Sequence, residues 1–221
     1  MTAMQRGPIG SSAATPLVVF VSGAGRTLAN LSERIQRGEL PARITLVVAS
    51  KPCKGEEWAR SRGVPTCVLG KDIRAAELSE LLAQAGVTPV RGGRPAEGWA
   101  VLAGFIRLLP IPTGYEHRFV NIHPALLPSF GGRGMYGERV HRAVLEAGCK
   151  VSGCTVHFTD GEYDSGPIVA QRACEVRDDD TPETLAARVF ELEKELYPWA
   201  LRALIEHRYS IQGRRVRIIP P

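Results

Sequence analysis

Leu17-Val18-Val19-Phe20-Val21 is an unbroken apolar run that stops at Ser22-Gly23-Ala24-Gly25. A run this short, rich in β-branched residues and closed by glycine, reads as a buried strand. Leu28, Leu31 and Ile35 follow on one helical face, and Gly38 and Pro41 end that helix. The unit then recurs. Residues 43–49 read as a strand, 56–62 as a short helix closed by Gly63, and 65–69 as a short strand. Residues 73–85 read as a helix with Leu78, Leu81 and Leu82 on one side, and 99–104 as another buried strand. This alternation predicts an α/β fold with an open, mostly parallel sheet, right-handed crossovers and flanking helices.

Beyond Phe119 the pattern changes. Residues 120–122 end a strand before Pro124, residues 140–147 are helical, and longer strands at 151–158 and 168–176 are joined by an acidic loop at 159–167. Antiparallel strands are therefore expected toward the C-terminal part. Thr181 as N-cap and Pro182 at the first helical position open a long helix. Leu185, Val189, Leu192 and Leu196 line its inner face, and Pro198 predicts a kink near Tyr197. Residues 88–98 carry three glycines and two prolines and read as a surface insertion. Residues 1–15 are small, polar and punctuated by glycine and proline; a disordered tail is expected there, with 16–221 forming one domain.

The 221 residues suffice for one α/β domain with a sizeable core and are short for two full ones. No apolar stretch is long enough to cross a bilayer, and residues 17–21 lack a cleavage-type site after them. The five cysteines (Cys53, Cys67, Cys149, Cys154 and Cys174) are odd in number and form no Cys-x-x-Cys. That pattern predicts reduced thiols in a cytoplasmic protein rather than a disulfide frame or a zinc site. Cys154, inside an apolar strand, reads as a small core residue. The net charge is +5, but the basic residues are spread along the chain apart from Arg214-Arg215-Val216-Arg217, and no nucleic-acid-binding pattern accompanies them. The expectation is a solvated basic surface whose mild positive field suits anionic small molecules, with no nucleic acid and no membrane as partner.

Three segments carry candidate chemistry. Gly23, Ala24, Gly25, Arg26 and Thr27 lie between a strand and a helix, where glycines allow close backbone approach and the helix N-terminus offers free N–H groups to a phosphate. A tight turn with no ligand is the competing reading, since the third glycine of a dinucleotide fingerprint and a Walker lysine are both missing. Asn121 and His123, two apart in a strand, project together at the end of the sheet. An Asn amide can donate to a developing oxyanion and a nearby His can move protons, a pair suited to acyl transfer; taken alone, the pair reads rather as a turn cap and a structural imidazole. Asp160, Gly161, Glu162, Tyr163 and Asp164 form a shaped acidic loop that could set one carboxylate beside His123. Calcium ligand spacing is absent from it. His157, within Val156-His157-Phe158, reads as a buried, hydrogen-bonded structural residue, and His117 and His141 carry no motif.

Taken together, Val21-Ser22-Gly23-Ala24-Gly25, Leu102-Ala103-Gly104-Phe105-Ile106-Arg107-Leu108-Leu109, Asn121-Ile122-His123-Pro124-Ala125-Leu126-Leu127-Pro128, Gly153-Cys154-Thr155-Val156-His157-Phe158 and Asp164-Ser165-Gly166-Pro167-Ile168 resemble the phosphoribosylglycinamide formyltransferase family, in order and in spacing. The resemblance covers about residues 16–210, and the Asn-Ile-His-Pro segment followed some forty residues later by Asp-x-Gly-Pro is its most specific part. It implies a Rossmann-like formyltransferase fold and transfer of a formyl group from 10-formyltetrahydrofolate, the cosubstrate, to the amine of 5'-phosphoribosylglycinamide. It implies Asn121, His123 and Asp164 as catalytic residues and residues 23–27 as the substrate phosphate site. Glu193 would contact the glycinamide. Arg74, Ile106, Arg107, Leu108, Leu109 and the loop Asp160, Gly161, Glu162, Tyr163 would contact the folate. No metal is needed, because the amine is itself the nucleophile, and the protein is expected to be a monomer or homodimer. Arg26-Thr27, Phe190, the stretch before Trp99 and the loop Gly131-Gly132-Arg133-Gly134-Met135-Tyr136-Gly137 depart from the commonest pattern. A hydrolase of 10-formyltetrahydrofolate, a formyltransferase acting on tRNA or a sugar nucleotide, or a non-catalytic folate- or nucleotide-binding relic are the alternatives.

Overall fold

The computed structural model describes residues 14–220. Residues 1–13 of the expected tail lie outside that range, and Thr15 already opens the first strand. The described chain divides into two compact units after Phe119.

The first unit contains β1 (Thr15–Val21), α1 (Arg26–Gln36), β2 (Ala42–Ala49), α2 (Lys54–Ser61), β3 (Thr66–Val68), α3 (Ala75–Gln84) and β4 (Trp99–Leu102). Its strands run parallel in the order β3-β2-β1-β4. Strands covered by helices must be apolar on both faces, and residues 17–21 are wholly buried. One side of β1 and β4 packs Val18, Phe20, Ala100 and Leu102 against Leu78 and Leu82 of α3 and against Phe105, Tyr115 and Phe119. Burying each large side chain here contributes about 1.5–3 kcal/mol relative to exposure. The Tyr115 hydroxyl stays satisfied inside this core by donating to the Val87 carbonyl at 3.0 Å. Residues 88–98 are more ordered than an irregular insertion. Bridges Thr88↔Glu97 and Arg91↔Arg94 fold them into a small antiparallel turn. Gly98, at φ 71°, has to be glycine, because a Cβ there would lie 2.8 Å from the Pro16 carbonyl oxygen.

The second unit contains β5 (Phe119–His123), α4 (Glu138–Glu146), β6 (Val151–Phe158), β7 (Ile168–Glu175), α5 (Pro182–Ile205), β8 (Tyr209–Gln212) and β9 (Arg215–Ile218). The order is β5-β6-β7-β9-β8, antiparallel except for β7 with β9. The change from parallel to antiparallel pairing follows the change in strand length and linker seen in the sequence. Thr181 caps α5 by accepting the Thr184 N–H at 3.3 Å, with Pro182 at the helix start. Pro198 does not interrupt α5, which continues to Ile205; buried Tyr197, Ala200 and Leu201 hold that turn in place. The hairpin β8–β9 goes beyond the sequence reading. It absorbs the basic cluster, with Arg215 and Arg217 exposed in alternation with Val216 and Ile218. Among the described residues no helix is long and apolar enough to cross a membrane.

Candidate active site

β5 presents Asn121 and His123 on one face, and its antiparallel register sets Asn121 opposite His157 and His123 opposite Thr155 of β6. The Asn121 amide nitrogen lies 3.1 Å from His157 Nε2, and His157 Nδ1 donates to the Phe158 carbonyl at 2.8 Å. His157 is 1% exposed.

Asp164 arrives from the loop at 159–167. The Phe158 N–H donates to the Pro167 carbonyl at 2.9 Å and closes the loop's base. Gly166 packs there so closely that a Cβ would sit 1.9 Å from the Phe158 oxygen. Asp160 folds the loop on itself, accepting from the Ser165 hydroxyl at 2.6 Å and from the Glu162 N–H at 3.1 Å. Asp164 takes a left-handed backbone, φ 53°, which an aspartate tolerates better than most residues. Its carboxylate is thereby turned inward. Oδ1 lies 3.5 Å from His157 Nε2, Oδ2 lies 3.5 Å from His123 Nδ1, and Oδ2 also accepts the Gly132 N–H at 2.9 Å. Asn121, His123 and Asp164 are thus brought together, and His157 is the residue that joins the amide to the carboxylate.

The chain leaving β5 is pinned from the sheet. Thr155, buried on β6, donates to the Ala125 carbonyl at 2.7 Å and accepts the Leu127 N–H at 3.0 Å. Gln171, opposite it on β7, donates to the Leu127 carbonyl at 2.9 Å. Held in this way, the chain returns over His123, and His123 Nε2 donates to the Phe130 carbonyl at 2.8 Å. Nδ1 is then the nitrogen without a proton in the neutral ring.

Burial pushes the His123 imidazole below its ordinary value, outweighing the upward pull of the Asp164 charge and the Phe130 carbonyl. Burial would raise the Asp164 carboxyl, but the His157 and His123 rings beside it and the Gly132 N–H together hold it below the usual carboxylate range. Near neutral pH the site therefore pairs an uncharged imidazole with an ionised carboxylate. Such a pair can take a proton at Nδ1 and stabilise the resulting cation.

The remaining candidates are placed as follows. Gly25 caps α1 at φ 74° with no side-chain cap, so the first N–H groups of the helix face outward from residues 23–27. Gly25 and Gly55 pack Cα to Cα, and the Gly55 N–H donates to the Gly23 carbonyl at 2.9 Å. The Ile106 N–H donates to Ser22 Oγ at 3.1 Å, and Ser50 donates to the same oxygen at 2.7 Å. Leu109 is buried in the core, whereas the Ile106 and Leu108 side chains are exposed. The Arg107 guanidinium turns onto the carbonyls of Leu69, Gly70 and Lys71. Arg74 is engaged by Glu77 in the cap of α3, with Nε donating at 2.8 Å. Glu193, half-buried on α5, lies near enough to Cys154 to add to the effect of burial, which pushes that thiol up to about 12. Cys154 is therefore a protonated core residue and no nucleophile. Among the described residues no group of three or more His, Cys, Asp or Glu side chains could hold a metal ion.

The Formyl transferase family matches residues 16–201. The chain belongs to that family. It is 41% identical over 213 residues to phosphoribosylglycinamide formyltransferase, chloroplastic, of Arabidopsis thaliana, covering 92% of this chain and 70% of that one. It is 33% identical to phosphoribosylglycinamide formyltransferase of Bacillus subtilis, covering 85% of this chain and 93% of that one. The chain spans 61% of the length of the relative from Vigna unguiculata, which is 38% identical. The crystal structure of glycinamide ribonucleotide transformylase 1 from Symbiobacterium toebii superposes with a TM-score of 0.82 at 34% identity, covering 99% of this chain and 100% of that one. The likeness in fold therefore runs across both units of the described chain.

Proposed function

We propose that this formyl transferase moves a formyl group from 10-formyltetrahydrofolate to the amine of 5'-phosphoribosylglycinamide, a step of purine biosynthesis. The observation that carries the site assignment is the run of polar contacts from Asn121 through His157 and Asp164 to His123. The names of the relatives support the choice of substrates.

The amine lone pair attacks the formyl carbon, forming a C–N bond and leaving negative charge on the formyl oxygen. The Asn121 amide, whose second N–H is not needed by His157, donates to that oxygen. The amine proton passes to His123 Nδ1, directly or through a water, and the ionised Asp164 stabilises the cation so formed. Collapse breaks the bond from the formyl carbon to the folate nitrogen, which takes the proton back. No electrons are gained or lost overall. Residues 23–27 hold the substrate phosphate, Glu193 the glycinamide, and the 106–109 segment with the 160–164 loop the folate. The reduced cysteines support a cytoplasmic location.

A spectrophotometric transfer assay with both substrates tests this. Formyl loss should require the phosphoribosylated amine. Asn121→Ala should raise the barrier by about 2.7–4 kcal/mol, and Asp164→Asn should collapse turnover in folded protein. Equal loss of the formyl group without the acceptor would overturn the acceptor assignment. Near-normal turnover in either variant would remove that residue from the mechanism.

A further inference from the structure

We infer that the turn at residues 130–132 is the positioning device of the candidate catalytic pair: its two backbone groups fix which nitrogen of His123 carries the ring proton and which way the Asp164 carboxylate points. The inference rests on the reading of His123 and Asp164 given above, and it assigns a task to a loop for which the sequence offered none.

Two backbone groups of opposite polarity, two residues apart, reach the two side chains that must handle one proton. The Phe130 carbonyl accepts from His123 Nε2 at 2.8 Å, and the Gly132 N–H donates to Asp164 Oδ2 at 2.9 Å. With Nε2–H committed to Phe130, Nδ1 is left as the basic atom, and it lies 3.5 Å from the oxygen that Gly132 holds. A free imidazole would populate both tautomers, and a free carboxylate would rotate; the turn removes both freedoms.

Phe130 has φ 55°, a left-handed backbone that costs a non-glycine residue energy and persists only where the surroundings impose it, while glycine at 132 adopts φ 98° freely. A Cβ on Gly131 would lie 2.6 Å from Leu127 Cδ2 and 3.1 Å from Asp164 Cβ, so a larger residue there would have to push Leu127 and Asp164 aside. Thr155 and Gln171 brace the turn from the sheet through Ala125 and Leu127. The charged or titratable groups facing Asp164 are His123 from β5 and His157 from β6, and those facing His123 are Asp164 and His157.

Replacing the Gly132 amide by an ester, through suppression with glycolic acid, removes the N–H and leaves the shape. The expected result is a fall in kcat of roughly ten- to a hundredfold, with KM for both substrates within about twofold, as expected when only transition-state stabilisation is lost. The Asp164 carboxyl, followed by 13C NMR, should titrate at higher pH than in the parent protein. Gly134→Ala is the control. Gly134 has φ 89° with open space around a Cβ, so the alanine strains the same loop without touching Asp164, and all three readouts should stay at parent values. Should the ester variant fail to fold, the 15N shifts of the His123 ring in the unaltered protein still decide: a neutral ring protonated at Nδ1 overturns the inference. So does an ester variant with parental kcat while Asp164→Asn is inactive. An active Asp164→Asn protein would instead defeat the catalytic reading beneath it.

Discussion

His123 is 3% exposed, and burial depresses its pKa while the neighbouring Asp164 charge raises it. Removing that charge should therefore lower the imidazole pKa further. In Asp164→Asn, NMR titration of the His123 ring should move to lower pH than in the parent protein; movement to higher pH would mean that the pair does not interact as the 3.5 Å separation implies. The sign for stability follows. Both groups have folded values below their unfolded ones, so the unfolded chain binds more protons as pH falls. Their contribution is present above about pH 6.5 for His123 and above about 3.8 for Asp164. It is lost as acid titrates each group through its lowered folded value. Asn121, His123 and Asp164 were legible in the sequence because a long motif fixes their order. His157 was not. Its link to Asn121 arises from the β5–β6 register, which no local pattern specifies, and a lone His in an apolar strand usually serves structure.

At the scale of elements, β6 and β7 approach unusually closely where Gly153 faces Ala173, and a Cβ on Gly153 would lie 2.0 Å from the Arg172 carbonyl oxygen. Gly153→Ala must part the two strands or bend one of them. It should cost about 2–4 kcal/mol in urea denaturation. Gly161→Ala, whose Cβ meets nothing within 4 Å, should change stability by less than about 0.5 kcal/mol. Equal stability of the two variants would show that the strand pair yields without cost. The strand–helix alternation up to β4 was legible because each strand is an apolar run closed by glycine or proline. The β8–β9 hairpin is less legible: Tyr209 to Ile218 alternates with period two around Gly213, but the clustered arginines give the segment the look of a solvated charged surface. Pro198 lies inside α5 and lacks one helical hydrogen bond, yet the helix runs on to Ile205 with Tyr197 and Leu201 buried beside it.

At the scale of the whole molecule, a net charge of +5 acts on substrates that carry phosphate and carboxylate groups. The screening length falls from about 30 Å at 0.01 M salt to about 8 Å at 0.15 M. A field summed over the surface should therefore aid encounter at low salt and fade over this range. For the phosphoribosylated amine, kcat/KM should drop by about three- to tenfold between those conditions, with kcat at saturation little changed. This salt dependence can arise from the dispersed charge or from one local contact, and Arg26 separates the two. Arg26→Ala takes the net charge from +5 to +4 and removes the one basic side chain in residues 23–27, the turn proposed to hold the phosphate. If the dispersed charge steers the substrate, the variant keeps most of the salt dependence while its KM rises through loss of the local contact. If the salt dependence disappears with Arg26, attraction is local to the helix N-terminus, and the rest of the basic surface serves solubility alone.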